Sequence, residues 1–72
     1  MKEYFVITTE NCGRCAKTKS MVEERGLTDR ILFLDYHKDG EARALAKKFG
    51  VRTAGTIHRM ETGERVNLSD LI

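Results

Sequence analysis

Two cysteines separated by two residues are the side chains in this sequence with the clearest chemical potential. Cys12 and Cys15 enclose Gly13 and Arg14, and the chain of 72 residues has 2 cysteines in all. A disulfide between them would close a very short loop, and such a loop contributes little entropic stabilisation. In a reducing compartment, a close pair of this kind is more often catalytic or metal-binding than structural.

The pair lies where an apolar run passes into a helical pattern, and this position favours thiol–disulfide exchange. A helix N-terminus has unpaired backbone N–H groups and roughly half a positive charge, so we expect the pKa of Cys12 to fall below that of a free cysteine. Arg14 adds a nearby positive charge. Cys12 is therefore predicted to attack a substrate disulfide, and a more buried Cys15 to resolve the mixed disulfide.

Metal binding is a second interpretation of the same spacing. A structural zinc site needs four ligands. The remaining candidates are His37 and His58, and neither lies at the short spacing from the cysteines that zinc-knuckle motifs have. We therefore predict no metal ligands. We interpret His58 as a strand residue on a partly exposed face and His37 as a surface loop residue. A third interpretation is a redox-inactive interaction module that keeps the fold.

Hydrophobic patterning predicts an α/β fold with the element order β-α-β-α-β-β. The first strand does not alternate, so it should be buried on both faces. Asp39 is the predicted N-cap of the second helix. The predicted elements are strands at 4–9, within 30–36, at 56–60 and at 65–67, helices at 13–25 and 41–49, and a truncated C-terminal helix whose single turn Ser69 caps.

The connections between these elements predict a four-stranded mixed sheet with helices packed on it. The first two strands should be parallel because a helix joins them through a right-handed crossover. The last two should form an antiparallel hairpin. The chain, residues 1–72, is interpreted as a single domain, and a domain this short buries only roughly 60% of the surface that its unfolded chain exposes.

Two segments resemble the active-site motifs of small glutaredoxin-like and thioredoxin-like proteins. Cys12-Gly13-Arg14-Cys15 matches the family's CxxC motif, and residues 50–57 match the segment that usually reads Gly-Val-x-Thr-Val-Pro-Thr. The resemblance covers nearly the whole chain. It implies a thioredoxin-like fold and an oxidoreductase that reduces protein disulfides or glutathione mixed disulfides.

One departure from the family concerns its cis-proline, which is replaced here by Gly55 in a chain without proline. A cis bond to a non-proline residue costs about 2.5–4 kcal/mol, so we predict a trans Ala54–Gly55 bond. In the family, the residue before the proline pairs its backbone with the bound peptide or glutathione, and Ala54, beside Thr53, inherits that position. The missing proline also keeps open the alternative of a metal or iron–sulfur carrier that uses the two thiolates.

The resemblance further implies glutathione as a possible cosubstrate, with no tightly bound cofactor. Asp70 corresponds to the aspartate that holds the glutathione amino group, but the family's glycine pair is missing from this stretch. The electron donor, glutathione or a thioredoxin-reductase-type enzyme, therefore stays open. The residues implied for this binding site are Arg14, Thr53, Ala54, Gly55 and Asp70.

Charge and hydropathy exclude other classes of partner. The net charge of +2 is spread over interspersed basic and acidic residues, which predicts no nucleic-acid binding. No apolar run approaches the roughly 20 residues of a membrane helix, and the N-terminus has no secretory pattern. We expect a cytoplasmic monomer that acts on a disulfide-containing protein. We interpret Lys17, Lys19, Lys47 and Lys48 as solvated helix residues rather than as cations that steer an anionic cosubstrate.

Overall fold

Four short strands form one mixed sheet with two helices packed on it in the computed structural model, which describes residues 2–71. The strands are β1 (Tyr4–Thr8), β2 (Ile31–Asp35), β3 (Ile57–Arg59) and β4 (Arg65–Val66), and the helices are α1 (Gly13–Glu24) and α2 (Gly40–Phe49). Short 3-10 turns lie at Thr28–Arg30 and Leu68–Leu71. The predicted α/β class and element order are confirmed, whereas the turn at Thr28–Arg30 was not predicted.

The strand order in the sheet is β2-β1-β3-β4. β1 pairs in parallel with β2, with Tyr4 opposite Ile31, and antiparallel with β3, with Tyr4 opposite Arg59. β3 and β4 form an antiparallel pair. The predicted four-stranded mixed sheet is therefore confirmed, and its central strand β1 leads directly into the cysteine pair.

Burial of β1 on both faces follows from its position between β2 and β3 and between the two helices. Successive side chains of a strand point to opposite faces, so Tyr4 and Val6 enter one core and Phe5 and Ile7 another. The first core contains Val22 of α1 and the second contains Ala42 of α2, so the helices cover opposite faces of the sheet. This confirms the burial predicted from the non-alternating apolar run.

The segment between β2 and α2 confirms the predicted N-cap residue but not a side-chain cap. Asp39 occupies the N-cap position of α2, but its side chain makes no capping hydrogen bond to that helix. Its carboxylate instead accepts the backbone N–H of Asp35 at 2.9 Å. Because β2 is an edge strand, that N–H has no neighbouring strand to pair with, and the nearby carboxylate satisfies it. The Asp35 carboxylate in turn accepts the N–H of His37 at 2.8 Å, and this bond holds the pKa of Asp35 below its usual range.

The C-terminal turn differs from the prediction in its cap. Ser69 lies inside the 3-10 turn Leu68–Leu71 and does not precede it. Leu68 and Leu71 pack against the core on the α1 side of the sheet, so this apolar contact positions the turn more than a serine cap would. Within residues 2–71, no helix is both long enough and apolar enough to cross a membrane.

Candidate active site

A tight turn between β1 and α1 places the first cysteine at the helix N-cap. Asn11 adopts a left-handed conformation with φ of 56°, which asparagine tolerates better than most residues. Cys12 is then extended, and its Sγ accepts the backbone N–H of Cys15 at 3.1 Å. Cys12 thus takes the capping role that serine, threonine or aspartate usually performs.

The two cysteines are joined in a disulfide, with their Cα atoms 5.3 Å apart. Cys15 is 6% exposed, whereas Cys12 is half-buried. Sγ of Cys15 lies 3.9 Å from the carbonyl oxygen of Ile7. The expectation that Cys15 is the more buried of the two is therefore confirmed, and a reactant in solvent can reach Cys12 more readily.

Gly55 lies against the first turn of α1, next to the disulfide. Its N–H donates to the carbonyl oxygen of Ile7 at 2.9 Å, and its own carbonyl oxygen accepts from Oγ1 of Thr18 at 2.8 Å. Both backbone polar groups of Gly55 are therefore satisfied by β1 and α1, which holds the loop beside the cysteines. The described chain has no cis peptide bond, so the predicted trans bond between Ala54 and Gly55 is confirmed.

The same loop is connected to the β3–β4 turn by a chain of hydrogen bonds. The carbonyl oxygen of Gly63 can only accept, so Nδ1 of His58 donates to it at 2.9 Å. Nε2 of His58 lies 2.7 Å from Oγ1 of Thr56, which lies 3.2 Å from Oγ1 of Thr53. These bonds fix the conformation of the loop on the side away from α1.

The interpretation of His58 as a partly exposed strand residue is wrong. His58 is 7% exposed, and its ring stacks on Phe5 with centroids 5.4 Å apart. The cause lies in the sheet: β3 is an interior strand, and His58 is paired with Phe5 on the face that α2 covers. The sequence of one short strand does not show whether other strands will pair with it on both sides, so the burial of His58 could not be predicted.

Replacing His58 with phenylalanine should destabilise the protein although the stack on Phe5 is kept. The carbonyl oxygen of Gly63 and Oγ1 of Thr56 would each lose a partner, and we expect a loss of about 1–3 kcal/mol in the free energy of unfolding. Urea denaturation at neutral pH measures this loss. His37→Phe is the matched control, because His37 is exposed and its replacement should change stability by less than about 0.5 kcal/mol. Equal stability of the two variants would contradict the role of the buried hydrogen bonds.

Two grooves meet at the end of β1. The first, which we call the cysteine groove, has a volume of about 600 Å³ and is lined by Thr9, Cys12, Lys19 and Phe33 among others. The second has a volume of about 640 Å³ and runs between α2 and the loop that contains Thr53 and Ala54. Thr9 lines both grooves, so the groove of the candidate peptide-pairing residues and the groove of the cysteines share one residue at this edge of the sheet.

The two remaining predicted residues, Arg14 and Asp70, differ in their position relative to the cysteines. The methylene stem of Arg14 packs against Gly55, and Arg14 lines a third groove of about 180 Å³ together with Thr18. Asp70 is exposed in the C-terminal 3-10 turn and outside the lining of all three grooves. The structure therefore groups Cys12, Arg14, Cys15 and Gly55, with Thr53 and Ala54 beside them, whereas Asp70 lines none of the three grooves.

Thr18 and Thr56 contribute to the site but were not identified as site residues from the sequence. Thr18 follows Cys15 by one helical turn, so helical spacing could have placed it on the face that meets the loop. Thr56 lies within residues 50–57, the segment that carries the family resemblance, and that match could have identified it. Within residues 2–71, the structure contains no group of three or more His, Cys, Asp or Glu side chains that could hold a metal ion.

No protein-family model, curated protein or solved structure matches the chain. A function for this protein therefore has to be argued from its own residues and their geometry.

Proposed function

We propose that this protein is a thiol–disulfide oxidoreductase of the thioredoxin-like type, with Cys12 as the attacking thiol and Cys15 as the resolving thiol. The observation that carries the proposal is the asymmetry of the pair. Cys12 is half-buried at the helix N-cap, while Cys15 is 6% exposed behind it. A dithiol that reduces other disulfides needs one thiol that substrates can reach and one that acts only within the molecule.

The architecture supports a thioredoxin-like fold. A parallel pair, β1 and β2, an antiparallel pair, β3 and β4, and helices on opposite faces are what the family resemblance implies. Gly55, in the position of the family's proline, lies directly against the first turn of α1. The two motifs that carry the resemblance are thus adjacent in space although they are about 40 residues apart in sequence.

In the first step, the thiolate of Cys12 attacks one sulfur of a substrate disulfide. A bond forms between Cys12 and that sulfur, the substrate's sulfur–sulfur bond breaks, and the departing substrate thiolate takes a proton from solvent. The N–H of Cys15, which is 3.1 Å from Sγ of Cys12, favours the thiolate over the thiol because it donates a hydrogen bond to the charged form.

In the second step, Cys15 attacks the sulfur of Cys12 and releases the second substrate thiol. The Cys12–Cys15 disulfide forms, the bond between Cys12 and the substrate breaks, and the proton that Cys15 loses goes to the departing substrate thiolate. The substrate thus gains two electrons from the enzyme, one proton from Cys15 and one from solvent. In the disulfide form, Sγ of Cys15 is buried near the carbonyl oxygen of Ile7, and in the dithiol form we expect this oxygen to accept a hydrogen bond from the thiol. This keeps Cys15 from competing for external disulfides.

Return to the dithiol form requires an external reductant. We propose a thiol donor, either two molecules of glutathione or a thioredoxin-reductase-type enzyme, and a disulfide-containing protein as the substrate. Such a cycle requires a reducing compartment such as the cytoplasm. A single chain contains both cysteines, so we propose that it acts as a monomer.

Equilibration of metal-free protein with glutathione redox buffers tests this function. We expect the Cys12–Cys15 pair to titrate as a two-electron couple at about −270 to −200 mV, the range of thioredoxins and glutaredoxins. Trapping with a thiol-alkylating reagent followed by mass spectrometry measures the oxidised fraction.

Cys15→Ser is the control for this titration, because it keeps Cys12 and can form only mixed disulfides with glutathione. If the wild-type pair forms no intramolecular disulfide at any buffer ratio, the proposed function is wrong. Metal analysis of anaerobically purified protein would then test the carrier alternative.

A further inference from the structure

The groove between α2 and the loop of Thr53 and Ala54 has a strongly one-sided charge. Arg43, Lys47 and Arg52 line it, and none of its lining residues, all within the described range 2–71, is acidic. We call it the basic groove, with these three cations as its rim. The whole chain has a net charge of only +2, so positive charge is concentrated here relative to the rest of the surface. Such a concentration attracts anionic partners and speeds their association.

The floor of the basic groove is apolar. Ile7, Ala46 and Val51 line it beneath the cations. Tyr36, at 39% exposure, is an exposed large apolar side chain and lies in the lining of the same groove. An apolar floor with a charged rim suits a peptide that combines an apolar side chain with carboxylates, because each part meets a complementary surface.

The wall that carries Tyr36 is held in place before any partner binds. Arg43 Nη1 donates to the carbonyl oxygens of Tyr36 at 2.8 Å and His37 at 3.2 Å. On the other side of this turn, the Asp35 carboxylate accepts the N–H groups of His37 at 2.8 Å and Lys38 at 3.1 Å. A surface that is already ordered loses less conformational entropy on binding.

The basic groove lies on the α2 face of the sheet and the cysteine groove on the α1 face, and the two share Thr9 just beyond the end of β1. Thr9 lines both of them, and Ala54 lines the basic groove one residue before Gly55, which packs on the helix turn of Cys15. A polypeptide in the basic groove can therefore run past Thr9 and present a neighbouring disulfide to Cys12.

We propose that the basic groove binds an acidic segment of the protein whose disulfide Cys12 reduces. Carboxylates of that segment pair with Arg43, Lys47 and Arg52, and an apolar side chain between them contacts Ile7 and Val51. This inference rests on the proposed oxidoreductase function and names the substrate class that the site selects. Glutathione fits the rim less well because its ammonium group would meet the same cations as its carboxylates.

Two synthetic peptides with the same intramolecular disulfide and the same leucine test the selection. One has glutamates around the disulfide and the other has lysines. We expect kcat/KM for reduction of the glutamate peptide to be about tenfold higher, and the difference to shrink as salt is added. Arg52→Glu and Lys47→Glu should each reduce the preference several-fold. Arg25→Glu, the matched control at an exposed arginine outside the groove lining, should leave it unchanged.

Binding without redox chemistry separates this inference from the function on which it rests. The glutamate peptide with serines in place of its cysteines is added to the oxidised protein, and backbone amide signals are followed by NMR. We expect shifts at Tyr36, Val51 and Arg52 that are absent with the lysine peptide. If these shifts occur but neither disulfide peptide is reduced, the oxidoreductase function is wrong, whereas binding of an acidic segment in the basic groove is supported.

Two results would overturn the groove proposal while leaving the oxidoreductase function intact. One is equal reduction of both disulfide peptides together with no amide shift. The other is that glutathione shifts the groove signals and the glutamate peptide does not, which would make the groove a site for the small thiol.

Discussion

Cys12→Ser should reduce the rate of disulfide reduction to the uncatalysed rate. The hydroxyl group of serine is not a nucleophile towards disulfides at neutral pH, and Cys15 is too buried, at 6% exposure, to take over the attack. Loss of the Cys12–Cys15 disulfide itself costs little stability because the loop that it closes is short. Reduction of a model protein disulfide, followed by absorbance or turbidity, measures the loss, and far-UV circular dichroism checks that the variant is folded.

Cys15→Ser should behave differently, and this difference identifies the roles of the two thiols. Cys12 can still attack, but nothing within the molecule resolves the product, so a covalent complex with the substrate should accumulate. Non-reducing electrophoresis and mass spectrometry detect it. If the Cys12→Ser variant accumulates the covalent complex and the Cys15→Ser variant does not, Cys15 is the attacking thiol and Cys12 the resolving thiol. Full activity in both variants would show that neither thiol takes part, whereas no activity above the uncatalysed rate in the wild-type protein would favour the redox-inactive scaffold interpretation.

Gly55→Ala should destabilise the protein by roughly 2–5 kcal/mol. A Cβ at this position would lie 2.7 Å from Cγ of Arg14 and 3.0 Å from the backbone N of Cys15, and the helix backbone cannot move away as a flexible side chain could. The φ of +82° adds a cost of about 1–2 kcal/mol for any residue with a Cβ, and overpacking typically adds about 1–3 kcal/mol. Urea unfolding measures the change, and the redox titration should shift with it because the loop contacts the turn that carries the cysteines.

Gly13→Ala is the matched control, since a Cβ on Gly13 meets nothing within 4 Å. It should be neutral or stabilise the protein by up to about 1 kcal/mol. Gly55→Pro introduces the proline that glutaredoxin-like and thioredoxin-like proteins have at this position, and it should also destabilise the protein. Proline requires a φ near −65°, and it would remove the N–H that donates to Ile7. Equal stability of Gly55→Ala and Gly13→Ala would show that the loop does not pack as described.

Local sequence signals were sufficient for the framework of the site. The apolar run at the start of the chain predicted a strand buried on both faces, because only a central, doubly covered strand tolerates apolar residues at successive positions. Helical spacing after Cys12 predicted α1, and the helix-connected strands predicted a parallel pair. These features depend on periodicity and chain connectivity, which a sequence contains directly.

The supporting contacts could not be predicted in the same way. His58 was expected to be partly exposed, yet it is buried because Phe5 and Phe49 pack on the same face of the sheet. The carboxylate of Asp39 was expected to cap α2, yet it accepts the N–H of Asp35 because β2 is an edge strand. Both outcomes depend on strand order, and strand order is a property of the whole sheet.

The sequence by itself determined which side chains are the candidates for chemistry and which of the two cysteines begins a helix, since residue type and helical periodicity are local properties. Only the tertiary structure decided the surroundings of the pair: Gly55 packs on its first helical turn, Thr18 donates a hydrogen bond to that loop, and the basic groove shares Thr9 with the cysteine groove. The physical reason is that these contacts join segments about 40 residues apart, and their side chains meet only when the central strand, two helices and a loop pack together.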